Sequence, residues 1–288
     1  MNAELKVEQI KKFTEYLQER ENQPATIKKY QTDIAKFLGY CGDITIIDKA
    51  KVLEYKEWLI SQYAISSVNS MLAALNQFFE FLGIEYLKVK KIKVQRNLFL
   101  QEEKELTKQE FQKLVEAARR KGKEWLALSM ETIAGTGIRI SELKFFTVEN
   151  IKKGKIEVYN KGKYRRIFLP TIIRKKLLQF CKKMKIKSGY IFTTKDGKPQ
   201  NRSYIWREMK KLKMETGIEE TKIFPHNLRH LFARVYYEKT KDIAGLADLL
   251  GHSNVNVTRI YTSNTGEIYQ KQLEKIDIIK SNNIISVM

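Results

Sequence analysis

Apolar residues return every three to four positions along most of this chain, and that spacing commits it to a largely helical fold. Between Ile27 and Cys41 the apolar positions are 27, 30, 34, 37, 38 and 41. From Val68 they are 68, 71, 72, 75, 78, 79 and 82. Each series lays one stripe along a helix of 3.6 residues per turn. Val7, Ile10, Phe13 and Leu17 predict a further helix near 5–19, and another is expected near 49–62. Gly83 is placed to end the helix before it. With 14 Gly and 4 Pro in 288 residues, few positions interrupt such helices. The first hundred residues therefore read as a four-helix unit.

Residues 86–106 read as a link, passing from KVKKIKVQR to the acidic QEEKE. Thr107 then precedes Glu110 by three positions, a capping-box pattern that starts a second domain. Within it, Ile156–Tyr159 and Tyr164–Leu169 flank Asn160-Lys161-Gly162-Lys163 as the two strands of a hairpin. The expected fold class is mainly α with a small antiparallel β-sheet, in two domains.

Charge narrows the partners. The formal net charge is +21, with 15 basic and 12 acidic residues in 1–100 against 39 and 21 in 101–288. The excess sits in the second part, and a cationic surface of that size gains by releasing counterions from a polyphosphate, so nucleic acid is the expected partner. No apolar run approaches the ~18 residues of a membrane span. The amino-terminal residues lack the apolar core of a signal peptide. Cys41 and Cys181 show no metal-ligand spacing, so a reducing cytoplasm is expected, with both thiols in the core.

All three histidines, His226, His230 and His252, lie in one short C-terminal stretch. No Cys, Asp or Glu stands beside them at zinc-ligand spacing, and no G-x-S-x-G elbow accompanies them. Arginine and tyrosine do. Pro225 suits a first helical position, which puts His226 and Arg229 on one helix face. Apolar positions 243, 246, 247 and 250 make another packed helix that Gly251 should stop, leaving His252 on an exposed turn. Tyr261 follows nine residues later.

These segments resemble the tyrosine recombinases, the family of phage-type integrases and Xer-type resolvases. GTGIRISEL (135–143) is similar to the family's first arginine box, PHNLRH (225–230) to its H-x-x-R segment, and LGHSNVNVTRIYT (250–262) to its LGH…Y segment. NKGK (160–163) lies in the hairpin where the family carries a lysine. Four boxes in order span nearly the whole chain. The resemblance implies a helical, SAM-like core-binding domain over 1–85, a link over 86–106, and a mixed α/β catalytic domain over 107–288. It further implies a C-shaped clamp on double-stranded DNA, a homotetramer on paired sites, and a C-terminal tail around Ile268–Ile279 exchanged between subunits. No cofactor or metal is expected.

In the implied chemistry, Tyr261 attacks a backbone phosphorus in line, and negative charge grows on two non-bridging oxygens. Arg139 and Arg229 form the clamp, because planar guanidinium donors match phosphate geometry. Donors preorganised in this way are worth about 3–4 kcal/mol each in the transition state. His226 is the candidate general base, His252 a hydrogen-bond donor to the phosphate, and Lys161 the acid for the departing 5′-oxygen. The product would be a 3′-phosphotyrosine, whose reversal joins strands. Glu142, three residues after Arg139, either orients that guanidinium or faces solvent. His230 is expected to pack, and the lysines of 182–187 to be a solvated face. Two alternatives stay open: a catalytically silent architectural protein on the same scaffold, and a type IB topoisomerase-like enzyme.

Overall fold

The computed structural model describes residues 3–6, 8–42, 46–93, 104–160, 163–194, 196–252 and 255, 257 and 258. The chain divides into two compact units, Met1–Arg96 and Asn97–Met288.

In the first unit, α1 (Glu8–Glu19), α2 (Pro24–Cys41), α3 (Lys49–Gln62) and α4 (Ile65–Phe81) surround one apolar core. The predicted stripes supply it: Phe13 and Leu17 from α1, Ile34 and Phe37 from α2, Tyr55 and Leu59 from α3, and Leu72, Phe78 and Phe79 from α4. Aromatic edges meet faces at its centre, Phe13–Phe78 at 5.3 Å and Phe37–Tyr55 at 4.9 Å between centroids. Pro24 opens α2 in the first turn, where its missing N–H costs nothing. Asp48 caps α3 by accepting from the Lys51 N–H. Gly83, at φ 72°, terminates α4, with its N–H donating to Glu80 and that of Ile84 to Phe79.

Two features depart from the sequence expectation. A two-residue strand, β1 (Ala3–Glu4), pairs antiparallel with β2 (Ile46–Ile47) in a unit expected to be helical throughout. Strands that short carry no readable alternation. The stretch expected to begin the link instead lies on α4. Leu87 and Val89 are buried in this core. Two carboxamides two turns apart on one face of α4 hold the backbone: Asn76 exchanges bonds with Val89, and Asn69 with Ile92, all at 2.8–2.9 Å.

The second unit contains α5 (Lys108–Arg120), α6 (Glu124–Thr136), α7 (Val148–Lys153), a hairpin of β3 (Ile156–Asn160) and β4 (Lys163–Ile167), α8 (Thr171–Lys183), α9 (Arg202–Lys210), α10 (Lys213–Thr216), α11 (Pro225–Thr240) and α12 (Ile243–Leu250). The Thr107 capping box forms in both directions, Glu110 N–H to Thr107 and Thr107 N–H to Glu110. Helix α6 is buried on nearly every side, from Leu126 to Thr136, and packs against α5, α8 and α11. Its hydroxyls, Ser129, Thr132 and Thr136, turn back to carbonyls four residues earlier and so are satisfied without water. The hairpin register runs from Ile156↔Ile167 to Asn160↔Lys163. Both cysteines are free thiols in the interior. Lys182 to Lys185 is exposed, as expected of a solvated run. The mainly α architecture with small antiparallel pairs is the fold class that the periodicity dictated.

Candidate active site

Three backbone turns bring the histidine and arginine segments together. Helix α6 ends at Gly137, whose φ of 65° is left-handed. A Cβ there would stand 2.4 Å from the Phe232 ring of α11, so the close approach of the two segments requires glycine. Immediately afterwards Arg139 caps a 3-10 turn, Ile140–Phe145. Helix α12 ends at Gly251, φ 63°, and a Cβ at that point would meet Arg165 Cδ at 2.6 Å.

Arg229 lies where these turns converge. It is 1% exposed, among the most deeply buried side chains described. Its Nη1 donates to the Gly137 carbonyl at 2.6 Å, and its Nη2 donates to the Leu250 carbonyl at 2.7 Å and to His252 Nε2 at 3.0 Å. The orphan carbonyls of two helix ends are thereby satisfied by one cation.

These bonds fix a tautomer. A guanidinium offers only donors, so His252 Nε2 must be the acceptor and the ring hydrogen sits on Nδ1. Nδ1 lies 2.9 Å from the hydroxyl of the fully buried Thr258, to which it donates. Burial, then Arg229, Arg139, His226 and Arg165, push the His252 pKa down to about 4, so the ring is neutral at pH 7. The turn is exposed at Gly251, Val255 and Val257, as expected, but the His252 ring itself is half-buried, because its Nδ1 and Nε2 partners draw it inward.

His226 keeps an exposed edge. Desolvation lowers its pKa, and Arg229 and Arg139 lower it further, which leaves a neutral imidazole able to take a proton. His230, one helical turn on, meets it edge to face at 4.5 Å between centroids, and burial first and His226 second push its pKa down to about 4. The side chain of Asn227 donates to the Lys104 and Lys222 carbonyls, and Arg234 donates to the Leu106 carbonyl and pairs with Glu105. The start of α11 is therefore tied to the segment that leads into this unit.

Glu142 settles its two-way expectation: it is 1% exposed and does not face solvent. One oxygen accepts from the Arg139 N–H at 2.7 Å and from Arg165 Nη2 at 2.5 Å, and the other accepts from Arg139 Nη1 at 3.2 Å. A single buried carboxylate thus aims two guanidiniums. Arg165 and Thr258 were not foreseen. Arg165 shares the inward face of β4 with buried Ile167, and a charged residue at that alternation was the available signal. Thr258 carried none.

Of the six candidate residues, Arg139, His226, Arg229 and His252 share one neighbourhood, where the two arginines act on both imidazoles. Lys161 and Tyr261 lie outside the described residues. Three guanidiniums against one carboxylate leave the site cationic, a setting for an anion with two exposed acceptor oxygens.

A family model described as the phage integrase family matches residues 104–267, more than half of the chain and every box above. The chain belongs to the phage integrase family. Residues 10–85 match a second model, the phage integrase N-terminal SAM-like domain, and this helical unit and the mixed one that follows are those of the tyrosine recombinases. The family member is 29% identical to the tyrosine recombinase XerA of Pyrococcus furiosus over 286 residues, 96% of either chain. It is 26% identical to XerD of Vibrio cholerae, over 82% of this chain and 85% of that one. Among solved structures, a lambda integrase dimer bound to a COC' core site superposes with a TM-score of 0.72 at 19% identity, over 90% of this chain and 77% of that one. The XerH recombinase bound to difH gives 0.69 at 21%, over 92% and 82%. At those identities the likeness establishes the shared fold. Among the described residues, no helix is long and apolar enough to cross a membrane.

Proposed function

We propose that this integrase-family protein cuts and rejoins double-stranded DNA at specific sites through a 3′-phosphotyrosyl intermediate on Tyr261. The observation that carries the reading is the grouping of Arg139, Arg229, His226 and His252 in one cationic site. Arg139 and Arg229 stabilise the charge that builds on the phosphate during attack, and His226, neutral at pH 7, takes the phenolic proton. His252 needs one adjustment. Its Nε2 accepts from Arg229 in the described arrangement, so it donates to a phosphate only after gaining a proton while Nδ1 stays on Thr258. A phosphate dianion in the transition state favours that protonation by opposing the neighbouring arginines. Lys161 is assigned to the departing 5′-oxygen. The phosphotyrosyl ester conserves the bond energy, so a 5′-hydroxyl from a second duplex restores the backbone.

The finer assembly follows from the same reading. The helical unit, carried on through Ile92 by its bonds to Asn69, would hold DNA as the core-binding domain, the residues from there to 106 would join it to the catalytic domain of 107–288, and four copies would exchange strands through a four-way junction. The amphipathic tail around Ile268–Ile279 would dock on a neighbouring copy. Relatives named tyrosine recombinases favour catalysis over a silent architectural role, and a solved lambda integrase tetramer is bound to a Holliday junction.

The test is a suicide substrate, a nicked recombination site whose cleaved fragment diffuses away. Wild type should accumulate a covalent protein–DNA adduct, and Tyr261→Phe should bind the site and form none. An adduct that persists in Tyr261→Phe, or none with wild type on its own recombination site, would defeat the assignment.

A further inference from the structure

We infer that Arg165 is a positioning residue of this site: it locks the β3–β4 hairpin to the first arginine box and to the end of α12. The inference rests on the recombinase reading above and goes beyond the residues assigned there. The side chain leaves β4 on its inward face and is 14% exposed. Nη2 donates to Glu142 at 2.5 Å, and Nη1 donates to the Leu249 carbonyl at 2.5 Å. The third donor, Nε, is buried without an acceptor, so those two bonds set the guanidinium's orientation alone. Their targets are telling. Glu142 is the carboxylate that also holds Arg139. Leu249 stands three residues before His252, in the last turn of α12, where free carbonyls favour a cation.

The fit is steric as well as polar. Arg165 Cδ fills the space that any side chain at position 251 would need. A hairpin that shifted outward would break both bonds together and leave Glu142 with a share of uncompensated buried charge. The hairpin's two-residue connection, between Asn160 and Lys163, contains Lys161. One guanidinium therefore couples the strand that leads from the proposed acid to the two segments that hold the phosphate ligands. It touches no reacting atom; it acts through the hairpin.

That role predicts a leaving-group signature. When Tyr261 oxygen bonds to phosphorus, the bond to the 5′-oxygen breaks, and the oxygen departs with a proton from an acid. With sulfur in the bridging position it leaves as a thiolate, whose conjugate acid has a pKa of roughly 8–9 and which requires no proton. Arg165→Gln should bind the site within about threefold of wild type and cleave the ordinary nicked substrate at least about 100-fold more slowly, the loss typical of displacing a catalytic group by an ångström. On the 5′-bridging sulfur substrate it should return to within about tenfold of wild type. Should Arg165→Gln fail to fold, Arg165→Lys, which keeps the charge but reaches only one acceptor, makes the same comparison. Unchanged cleavage of the oxygen substrate overturns the inference. So does a loss that sulfur does not relieve, which would make Arg165 mere support for Arg139. If wild type itself forms no adduct on either substrate, the recombinase reading fails instead, and the two failures are thereby distinct.

Discussion

The two units solve the burial problem differently. In the first, the buried described residues are apolar apart from Asp33, which lies beside Lys29. The second buries Glu142, Glu208, Glu105, Asn227 and Arg229 among its apolar residues. A buried charge loses more solvation than an ion pair returns, and a well-packed apolar group of similar size is often as stable or better. The first unit therefore reads as built for stability. In the second, Glu142 and Arg229 carry that cost at the candidate site, where local packing rules are expected to yield to chemistry, while Glu208 is buried between Lys123 and Lys211.

That contrast can be broken at several points. Phe78 meets Phe13 edge to face and is fully buried, so Phe78→Ala should destabilise the first unit by about 3–5 kcal/mol in chemical denaturation. A cost below about 1 kcal/mol would mean that this core is loosely packed. Arg229→Met removes the buried cation and keeps much of its volume. Cleavage of a nicked site should fall by about 100- to 1000-fold, and the denaturation midpoint should fall as well, because the buried carbonyls of Gly137 and Leu250 lose their donor. An unchanged midpoint would show that those carbonyls find other donors and that Arg229 serves the reaction alone.

Acid should separate the units further. His252 and His230 have folded pKa values pushed down to about 4, against about 6.5 for an unfolded histidine. Below 6.5 the unfolded chain binds protons that the folded second unit refuses, so this stabilisation is full above pH 6.5 and is lost as pH falls toward 4. A His230→Leu variant should flatten the pH dependence of the second unit's unfolding midpoint over that window, and an unaltered slope would exclude His230 as a contributor. The smallest effect belongs to Asp48, whose cap on α3 is exposed. Asp48→Ala should cost about 1 kcal/mol in the first unit, read as a small shift in its melting midpoint.

Much of this molecule was legible from its residues. The stripes of Ile34, Phe37, Leu72 and Phe78 set helix faces, and Thr107 and Gly83 set boundaries, because those signals act within a turn or two of chain. The grouping of His226, Arg229, His252 and Arg139 was readable as sequence boxes, although no spacing rule implied that Arg229 would be sealed between two helix ends. Arg165 and Thr258 escaped notice for a related reason. Arg165 meets Leu249 across 84 residues, and such partners are chosen by tertiary contact, not local pattern. Thr258 is one of many threonines until a ring nitrogen is placed beside it. The pair Ala3–Glu4 and Ile46–Ile47 is too brief to leave a period.

The glycines at 137 and 251 bear on how such a protein can be altered or inherited. Each lends the volume of its missing Cβ to a residue from a different stretch of the chain, Phe232 in one case and Arg165 in the other. Grafting a single motif from a distant homologue would bring a mismatched neighbour into that space. Chimeras should tolerate exchange only when 135–143, 163–167, 228–232 and 249–252 travel as one block, although the genetic message keeps them apart.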